Sequence, residues 1–290
     1  MPLSRRLLLI DGTQLFYRSF FGIRGLSTKD GIHTNAVFGF IRGLHQLIQG
    51  WKPSHLAVAW DGGLPAARLV LLPEYKAQRP PMPDALRQQI EPVAEFLRLA
   101  GVSRIRLDQE EADDVMASLA RWGSADDAEV LIATNDKDML QLVSDKVSMV
   151  SWGKDDPRIG RDEVFAKTGV YPNQIVEWLA LTGDSADNIP GVEGLGPKTA
   201  AKLLAQFGSL AALWSRADEI QSIRIRENLV AVRERVERNL ALVKLQDTIE
   251  CSPGWEAMAI KPEHPAIMRP FYARMEFHTL MKGCDQGELF

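Results

Sequence analysis

Short, wholly apolar runs that each stop at an acidic residue constrain the fold of this chain more than any other feature of its sequence. The runs and the acids that follow them are residues 7–10 with Asp11, residues 56–60 with Asp61, and residues 130–133 with Asp136 and Asp138. Apolar runs without alternation are typical of parallel strands that are buried on both faces. Helical spacing of apolar residues separates the runs, over residues 34–49 and 85–99. Strands that alternate with helices predict an α/β fold with a mostly parallel central sheet flanked by helices.

The acids at the ends of the runs predict a functional site at one edge of that sheet. In open α/β sheets, ligands bind outside the carboxyl ends of the strands. The acids that fall there are Asp11, Asp61, Asp136 and Asp138. A further pair, Asp184 and Asp187, follows a helical pattern over residues 172–182, and the three-residue spacing lets both side chains point to one side. We therefore expect acids that are distant along the chain to converge.

Another acidic cluster, residues 110–114, stands before the apolar positions of a predicted helix. One interpretation is that these acids complement the helix dipole, which favours each of them by a few tenths of a kcal/mol. The cluster holds four acids within five residues, and their mutual repulsion exceeds that gain unless cations intervene. We therefore favour a cation site.

The number of acids points to metal ions. General acid and base catalysis needs two carboxylates, whereas hard divalent cations such as Mg²⁺ take several oxygen ligands. This chemistry suits two-metal hydrolysis of a phosphodiester. The candidate metal ligands are Asp11, Asp61, Glu111, Asp113, Asp114, Asp136, Asp138, Asp184 and Asp187.

The charge distribution is compatible with a nucleic-acid partner although the net charge is -4. Residues 101–190 hold 9 Lys and Arg against 18 Asp and Glu, while residues 1–100 hold 12 against 7. Without the nine candidate ligands the chain would carry +5, so its acidity is local to the predicted site. Two cysteines give no disulfide framework, and no apolar run reaches the roughly 18 residues of a membrane span. We expect a cytoplasmic, nucleoid-associated protein with no membrane contact.

The order and spacing of the motifs resemble those of the metal-dependent 5′-nucleases, a family that includes the amino-terminal domain of bacterial DNA polymerase I, phage 5′-exonucleases and flap endonucleases. The matching segments are residues 8–13 (LLIDGT), 60–61 (WD), 74–83 (EYKAQRPPMP), 111–114 (EADD), 134–138 (TNDKD) and 181–200 (LTGDSADNIPGVEGLGPKTA). The resemblance spans residues 6–250 and continues more loosely through residues 272–281. It implies a PIN-like sheet and a 5′-3′ exonuclease or flap endonuclease that acts on DNA in primer removal or repair.

The resemblance also implies roles for the acids. It implies two or more Mg²⁺ ions, for which Mn²⁺ can substitute. Asp11 and Asp61 would be strand-end ligands or would accept hydrogen bonds from groups around the metals, and Asp184 and Asp187 would be the second-metal pair. The first metal cluster would comprise Glu111, Asp113, Asp114, Asp136 and Asp138.

Residues 62–90 combine glycines, cations and clustered prolines, which predict a bent excursion from the core. In the similar nucleases this stretch forms an arch over the active site that admits a single-stranded 5′ end; the alternative is an ordinary solvated loop. The resemblance implies that Lys76 and Arg79 act at the scissile phosphate and that Tyr75 stacks on a base. Arg68 would add a DNA contact.

The glycine-rich stretch of residues 191–199 is not a P-loop, because Pro197 separates Gly196 from Lys198 and because the stretch joins two predicted helices. Such a turn exposes backbone N–H groups to a phosphate and predicts a helix-hairpin-helix that binds duplex without reading its sequence. Its candidate DNA-binding residues are Gly194, Gly196, Lys198 and Thr199. The resemblance adds a K⁺ ion held by backbone carbonyls of the hairpin.

We predict a nuclease core over residues 1–170 with the arch at about 62–90, a helix-hairpin-helix (H3TH) subdomain over 171–250, and a carboxy-terminal segment, 251–290, that packs back on the core. Within the subdomain, residues 227–245 read as one amphipathic helix. Expected partners are DNA with a 5′ flap, overhang or single-strand/duplex junction, RNA-primed ends, and a polymerase or clamp in trans; we expect a monomer. Two alternatives stay open, a PIN-class ribonuclease and a DNA-structure-binding module whose chemistry has decayed.

Overall fold

The computed structural model describes residues 5–152 and 158–286, and a five-stranded parallel sheet lies at the centre of this part of the chain. Its strands are β1 (Arg6–Asp11), β2 (His55–Trp60), β3 (Ser103–Arg106), β4 (Glu129–Ala133) and β5 (Val147–Val150). The strand order is β3-β2-β1-β4-β5, and every neighbouring pair is parallel. The predicted α/β class is confirmed. The sequence did not predict the two edge strands, β3 and β5, because polar residues interrupt their apolar positions.

The order of the strands determines where a ligand can bind. Successive strands run outward from β1 to β3 on one side and from β4 to β5 on the other, so the winding reverses between β1 and β4. Doubly wound sheets leave a crevice outside the carboxyl ends of the strands at this switch point. Asp11 ends β1, and Asp136 follows β4 by three residues. The topology therefore opens the crevice beside the predicted acidic site.

Helices cover both faces of the sheet, and a short antiparallel pair joins two of them. The pair is β6 (Gly183–Asp184) with β7 (Ile189–Pro190). Turns of 3₁₀ helix lie at Lys137–Leu142, Pro172–Gln174 and Ala217–Glu219. No helix in residues 5–152 or 158–286 is long and apolar enough to cross a membrane. The helices are α1 (Gly12–Gly22), α2 (Asn35–Trp51), α3 (Ala66–Leu71), α4 (Asp84–Arg87), α5 (Ile90–Leu99), α6 (Ala112–Ala125), α7 (Arg161–Thr168), α8 (Ile175–Thr182), α9 (Pro197–Phe207), α10 (Leu210–Ser215), α11 (Ile223–Ala231), α12 (Arg233–Val243), α13 (Trp255–Met258), α14 (Pro265–Arg274) and α15 (His278–Gln286).

Two hydrophobic cores form because successive strand residues point to opposite faces. In β1, Leu7 and Leu9 belong to the core that includes α6, α8 and α9, whereas Leu8 and Ile10 belong to the core that includes α1, α2 and α5. All four side chains are fully buried. Phe271 of α14 lies in the second core, so the described carboxy-terminal residues pack on the sheet's own helices.

Two predicted helices are each interrupted. Residues 85–99 form α4 and α5, because Gln89 turns inward between them and its Oε1 accepts hydrogen bonds from the N–H groups of Ala36 (2.8 Å) and Val37 (3.3 Å) at the start of α2. Residues 227–245 divide at Val232, which leaves helical geometry (φ -118°, ψ 20°) between α11 and α12. The predicted limits at residues 1 and 290 lie outside the described residues.

Candidate active site

Three aspartates from two distant parts of the chain meet at the carboxyl edge of the sheet. Asp138 lies in the 3₁₀ turn after β4, Asp184 in β6, and Asp187 in the turn between β6 and β7. One carboxylate oxygen of each lies within 4.8 Å of the others, and all three residues are buried. Oδ1 of Asp138 is buried without a hydrogen-bond partner, which costs free energy unless another ligand satisfies it. The three residues therefore fit a hard divalent cation. Asp138, which the resemblance placed in the first metal cluster, lies here with the predicted second-metal pair.

Two glycines make this convergence possible. Gly183 has φ +72°, and a Cβ there would lie 2.5 Å from the carbonyl oxygen of Ile189. A Cβ at Gly191 would lie 2.1 Å from the carbonyl oxygen of Thr182. Only glycine fits so close an approach of two backbones. The turn between β6 and β7 is thereby held tight against the end of α8, with Asp184 and Asp187 fixed on it.

A second group of acids, Asp11, Asp61, Asp113 and Asp136, surrounds the ends of β1, β2 and β4. Asp11 caps α1 by accepting a hydrogen bond from the N–H of Gln14 (2.8 Å). Asp61 accepts one from the N–H of Ala112 (2.9 Å), which connects the end of β2 to the start of α6. The structure thus brings the strand-end acids and the first turn of α6 together, as the sequence predicted.

The pKa values show how strongly these carboxylates interact. Burial raises the pKa of Asp11 to about 7, and the charges of Asp61 and Asp136 add to that shift. Burial, followed by the charges of Asp136 and Asp11, raises the pKa of Asp113 well above its ordinary value. Burial and then the charges of Asp136, Asp184 and Asp187 do the same for Asp138. In the absence of a cation the cluster therefore retains protons.

Asp136 electrostatically connects the two groups. Burial raises its pKa, a hydrogen bond from the N–H of Asp138 (2.9 Å) partly offsets that shift, and the charges of Asp187 and Asp184 raise the pKa again. The charge of Asp136 also raises the pKa of Asp113. The two acidic groups are therefore one continuous site.

Three polar residues that the sequence analysis missed hold the acids in place. The Thr134 hydroxyl donates to Asp11 Oδ2 (3.2 Å) and accepts from the N–H of Asp136 (3.1 Å). Thr13 Oγ1 accepts from the N–H of Asp61 (3.1 Å), and Gln14 Oε1 accepts from the N–H of Asn135 (2.7 Å). Their positions in the sequence could have identified them, because each of these residues lies within three residues of a strand-end acid.

Two cations of the predicted arch, residues 62–90, reach into the acidic site. Lys76 Nζ donates to Glu111 Oε1 and lies 3.5 Å from Asp187 Oδ2, while Arg79 Nη2 donates to Asp187 Oδ1 at 2.7 Å. Burial lowers the pKa of Lys76, but the charges of Glu111 and Asp187 outweigh it, so the net shift is upward and the amine stays charged. The backbone of Lys76 is left-handed (φ +55°), and its N–H donates to the carbonyl of Asp187 (3.0 Å). Both predicted phosphate-contacting cations therefore lie beside the metal-ligand candidates.

Tyr75 lies where a base cannot stack on it. Only 3% of the residue is exposed, and its hydroxyl lies 3.1 Å from Glu111 Oε2 and 3.2 Å from Asp187 Oδ2. The predicted stacking requires an accessible ring face, which this arrangement does not offer. The hydroxyl instead supports the carboxylates that Lys76 contacts.

Arg68 and Asp114 are buried against each other, which does not fit their predicted roles in binding DNA and metal. Arg68 is 6% exposed and Asp114 is fully buried, and the guanidinium contacts both carboxylate oxygens of Asp114, at 2.6 and 2.8 Å. Neighbouring helix positions do not face the same way, so Asp114 points away while Asp113 faces the cluster. Arg68 is not at the DNA-accessible surface, and Asp114 is not among the converging acids.

The predicted hairpin lies between β7 and α9, on the surface. Gly194 has φ +77°, and Gly196 is the residue that precedes the first turn of α9. Gly194, Gly196 and Lys198 are exposed and Thr199 is half-buried. Lys198 forms no ion pair with any described residue. The turn therefore presents an uncompensated cation beside a helix amino terminus.

Comparison with known proteins places the whole chain in one family. A family model described as the 5′-3′ exonuclease N-terminal resolvase-like domain matches residues 6–169, and one described as the 5′-3′ exonuclease C-terminal SAM fold matches residues 170–266. A 5′-3′ exonuclease of Aquifex aeolicus is 37% identical over 97% of this chain and 96% of its own length.

Two further relatives extend the comparison. DNA polymerase I of Bacillus subtilis is 39% identical over 99% of this chain, which spans only 33% of that polymerase. Among solved structures, a bacteriophage T5 flap endonuclease in complex with DNA and metal ions is 26% identical, with a TM-score of 0.70 over 83% of this chain and 90% of its own. The chain belongs to the 5′-3′ exonuclease family of nucleases.

Proposed function

We propose that this protein is a metal-dependent 5′-3′ exonuclease and flap endonuclease that hydrolyses phosphodiester bonds at DNA 5′ ends and flaps by a two-metal mechanism. The observation that carries the proposal is the buried triad of Asp138, Asp184 and Asp187, with one carboxylate oxygen left without a partner. The T5 nuclease in complex with DNA and metal ions has the same fold, which supports the proposal.

The donor chemistry of the two acidic groups favours Mg²⁺, with Mn²⁺ as a substitute, because the candidate ligands are carboxylate oxygens. The triad would hold one ion, and Asp11, Asp113 and Asp136, assisted by Asp61, would hold another. Bound ions of this kind activate a water molecule and stabilise the leaving oxygen. Burial and mutual repulsion of the carboxylates create a site that gains stability when cations neutralise it.

Lys76 and Arg79 would act on the phosphate itself. Both side chains already lie against Asp187, and Lys76 also contacts Glu111. A cation fixed in this way needs no reorganisation when negative charge develops on the scissile phosphate, so it stabilises the transition state more than the bound substrate. Glu111 and Tyr75 hold the amine of Lys76 at that position.

The hairpin would bind the duplex part of the substrate. Residues 196–244 hold nine Lys and Arg against five Asp and Glu, which suits contacts to the phosphate backbone. Lys198 and Thr199, in the first turn of α9, would meet one strand with the support of the helix dipole, and carbonyls of the turn would hold K⁺. Substrates would include flaps, overhangs, junctions and RNA-primed ends. We further propose a monomer in the cytoplasm, at the nucleoid, that acts in primer removal or repair with a polymerase or clamp in trans.

A direct test is cleavage of a 5′-flap duplex labelled on each strand in turn, with Mg²⁺ or with EDTA, beside single-stranded RNA of the same sequence. We expect Mg²⁺-dependent products that map to the 5′ end and to the junction, and RNA cut much more slowly. Asp138→Asn should abolish cleavage, whereas Asp145→Asn, at an aspartate whose side chain is 86% exposed, should not. Cleavage that persists in EDTA, or preference for RNA, would refute the proposal.

A further inference from the structure

Arg68 and Asp114 form a buried ion pair next to the acidic site. Their side chains are 7% and 1% exposed. The guanidinium contacts Asp114 through Nη1 (2.6 Å) and Nη2 (2.8 Å) and donates from Nε to the carbonyl of Leu242 (3.1 Å). Asp114 Oδ1 accepts another hydrogen bond from the N–H of Gln246 (2.8 Å). Both oxygens of Asp114 are therefore occupied by protein groups.

This pair joins three segments that are far apart in sequence. Arg68 lies on α3 in the arch, Asp114 lies in the first turn of α6, and residues 242–246 end α12 of the hairpin subdomain and continue beyond it. Arg68 and Leu242 are separated by 174 positions. The pair thus fixes the arch and the subdomain against the helix that carries Asp113.

The pair also reaches the catalytic candidates through one residue. Arg68 Nη1 donates to Glu111 Oε2, while Lys76 Nζ donates to the other oxygen of the same carboxylate. Glu111 therefore lies between the two cations, and its orientation depends on both. If Arg68 is removed, Glu111 can rotate and Lys76 loses the contact that holds it near Asp187.

We propose that Arg68 and Asp114 are positioning residues for DNA cleavage, which hold Glu111 and Lys76 at the acidic site and bind neither DNA nor metal themselves. The inference rests on the proposed metal-dependent cleavage. Removal of one partner leaves a buried, unpaired charge, whereas removal of both by apolar residues of similar size does not. The two residues must therefore act as one unit.

A double-mutant cycle tests this unit, with Arg68→Met, Asp114→Leu and the combined variant. We expect each single variant to lower the single-turnover cleavage rate at saturating DNA at least tenfold at 20 °C, with circular dichroism used to verify that each variant is folded at that temperature. The combined variant should be no slower than the slower single variant. The melting temperature of the combined variant should be higher than the value expected from adding the decreases in Tm of the two single variants. Rate losses that multiply would overturn the proposal.

Binding measurements separate positioning from direct contact. Affinity for the flap in Ca²⁺ and its salt dependence should be unchanged in Arg68→Met, because loss of a phosphate contact would reduce the salt slope by about one. Mn²⁺ titration without DNA, followed by electron paramagnetic resonance, should give the wild-type number of ions for Asp114→Asn and fewer for Asp138→Asn. A reduced slope, or an ion lost with Asp114→Asn, would assign the residue to direct contact and refute the inference.

Two further variants keep the test decisive. Arg68→Lys retains the charge but cannot contact Asp114, Glu111 and Leu242 together, so it should remain folded and still lose most of the rate. The matched control is the exposed pair Arg121 and Asp247, which also joins α6 to the chain after α12 (3.1 Å). Arg121→Met and Asp247→Leu should leave the cleavage rate unchanged.

The experiment distinguishes failure of the proposed function from failure of this inference. If wild-type protein cleaves nothing, the proposed function has failed; if it cleaves and the rate losses in the double-mutant cycle multiply, only this inference has failed.

Discussion

Replacement of Asp11 by asparagine should make the metal-free protein more resistant to rising pH. Burial raises the pKa of Asp11 from 3.8 to about 7, so the folded protein binds that proton more tightly than the unfolded chain. Stability due to this group is therefore greatest below about pH 4 and falls as pH rises to about 7. One pKa unit corresponds to about 1.4 kcal/mol. The advantage of asparagine over aspartate should grow by about 3 kcal/mol between pH 5 and pH 8.

The assay is thermal unfolding in EDTA at both pH values. With an unfolding entropy of about 2.1 cal/mol/K per residue, 3 kcal/mol corresponds to about 5 °C in Tm for a chain of 290 residues. Asparagine also changes the hydrogen bonds to Gln14 and Thr134, but that effect does not depend on pH. The informative quantity is therefore how much the Tm difference between Asp11→Asn and wild type changes from pH 5 to pH 8. Asp145→Asn, at an exposed position, supplies the control. Parallel pH profiles of wild type and Asp11→Asn would refute the reasoning.

Three further predictions concern the metals and the DNA. Asp138→Asn should lower single-turnover cleavage by several orders of magnitude and leave flap affinity in Ca²⁺ within about tenfold, because it removes transition-state charge stabilisation; an equal loss of both would contradict this. Lys76→Ala should likewise reduce rate more than affinity, whereas Lys198→Glu should weaken duplex binding and flatten its salt dependence; identical behaviour of the two would disprove the division between arch and hairpin. Millimolar Mg²⁺ should stabilise the wild-type protein, by about 2.7 kcal/mol of unfolding free energy when the Mg²⁺ concentration is 100 times Kd, and should therefore raise its Tm. The increase in Tm should be smaller for Asp138→Asn; equal increases by calorimetry would place the ion elsewhere.

The sequence predicted those parts of the fold in which local pattern and burial agree. The central strands β1, β2 and β4 are buried on both faces, so each contains an unbroken apolar run; acids follow the runs of β1 and β2 directly and the run of β4 after two residues. Because parallel strands end at the same edge, the convergence of Asp11, Asp61 and Asp136 followed from the order of the motifs. The edge strand β3 is Ser-Arg-Ile-Arg, with one buried residue, and no local pattern distinguishes it from a loop.

The roles of individual polar residues were harder to predict, because a motif does not show which partner a side chain finds. Asp114 lies in a matching segment and Arg68 lies between two of them, yet the two residues pair with each other across a long separation in sequence. Tyr75 adjoins Lys76 in sequence, but its hydroxyl contacts buried carboxylates and its ring is not accessible to a ligand. Thr134 carries no charge, so its bridge between Asp11 and Asp136 was visible only in three dimensions.

The aspartate triad is divided between the two family segments, and this division limits how the chain can be recombined. Asp138 belongs to residues 6–169, whereas Asp184 and Asp187 belong to residues 170–266. A chimera that takes its second segment from a relative would rebuild the triad only if the glycine turn returned both aspartates to within ångströms of Asp138. Sequence drift in either segment is therefore constrained by the other, and the two should be inherited as one module rather than exchanged as separate domains.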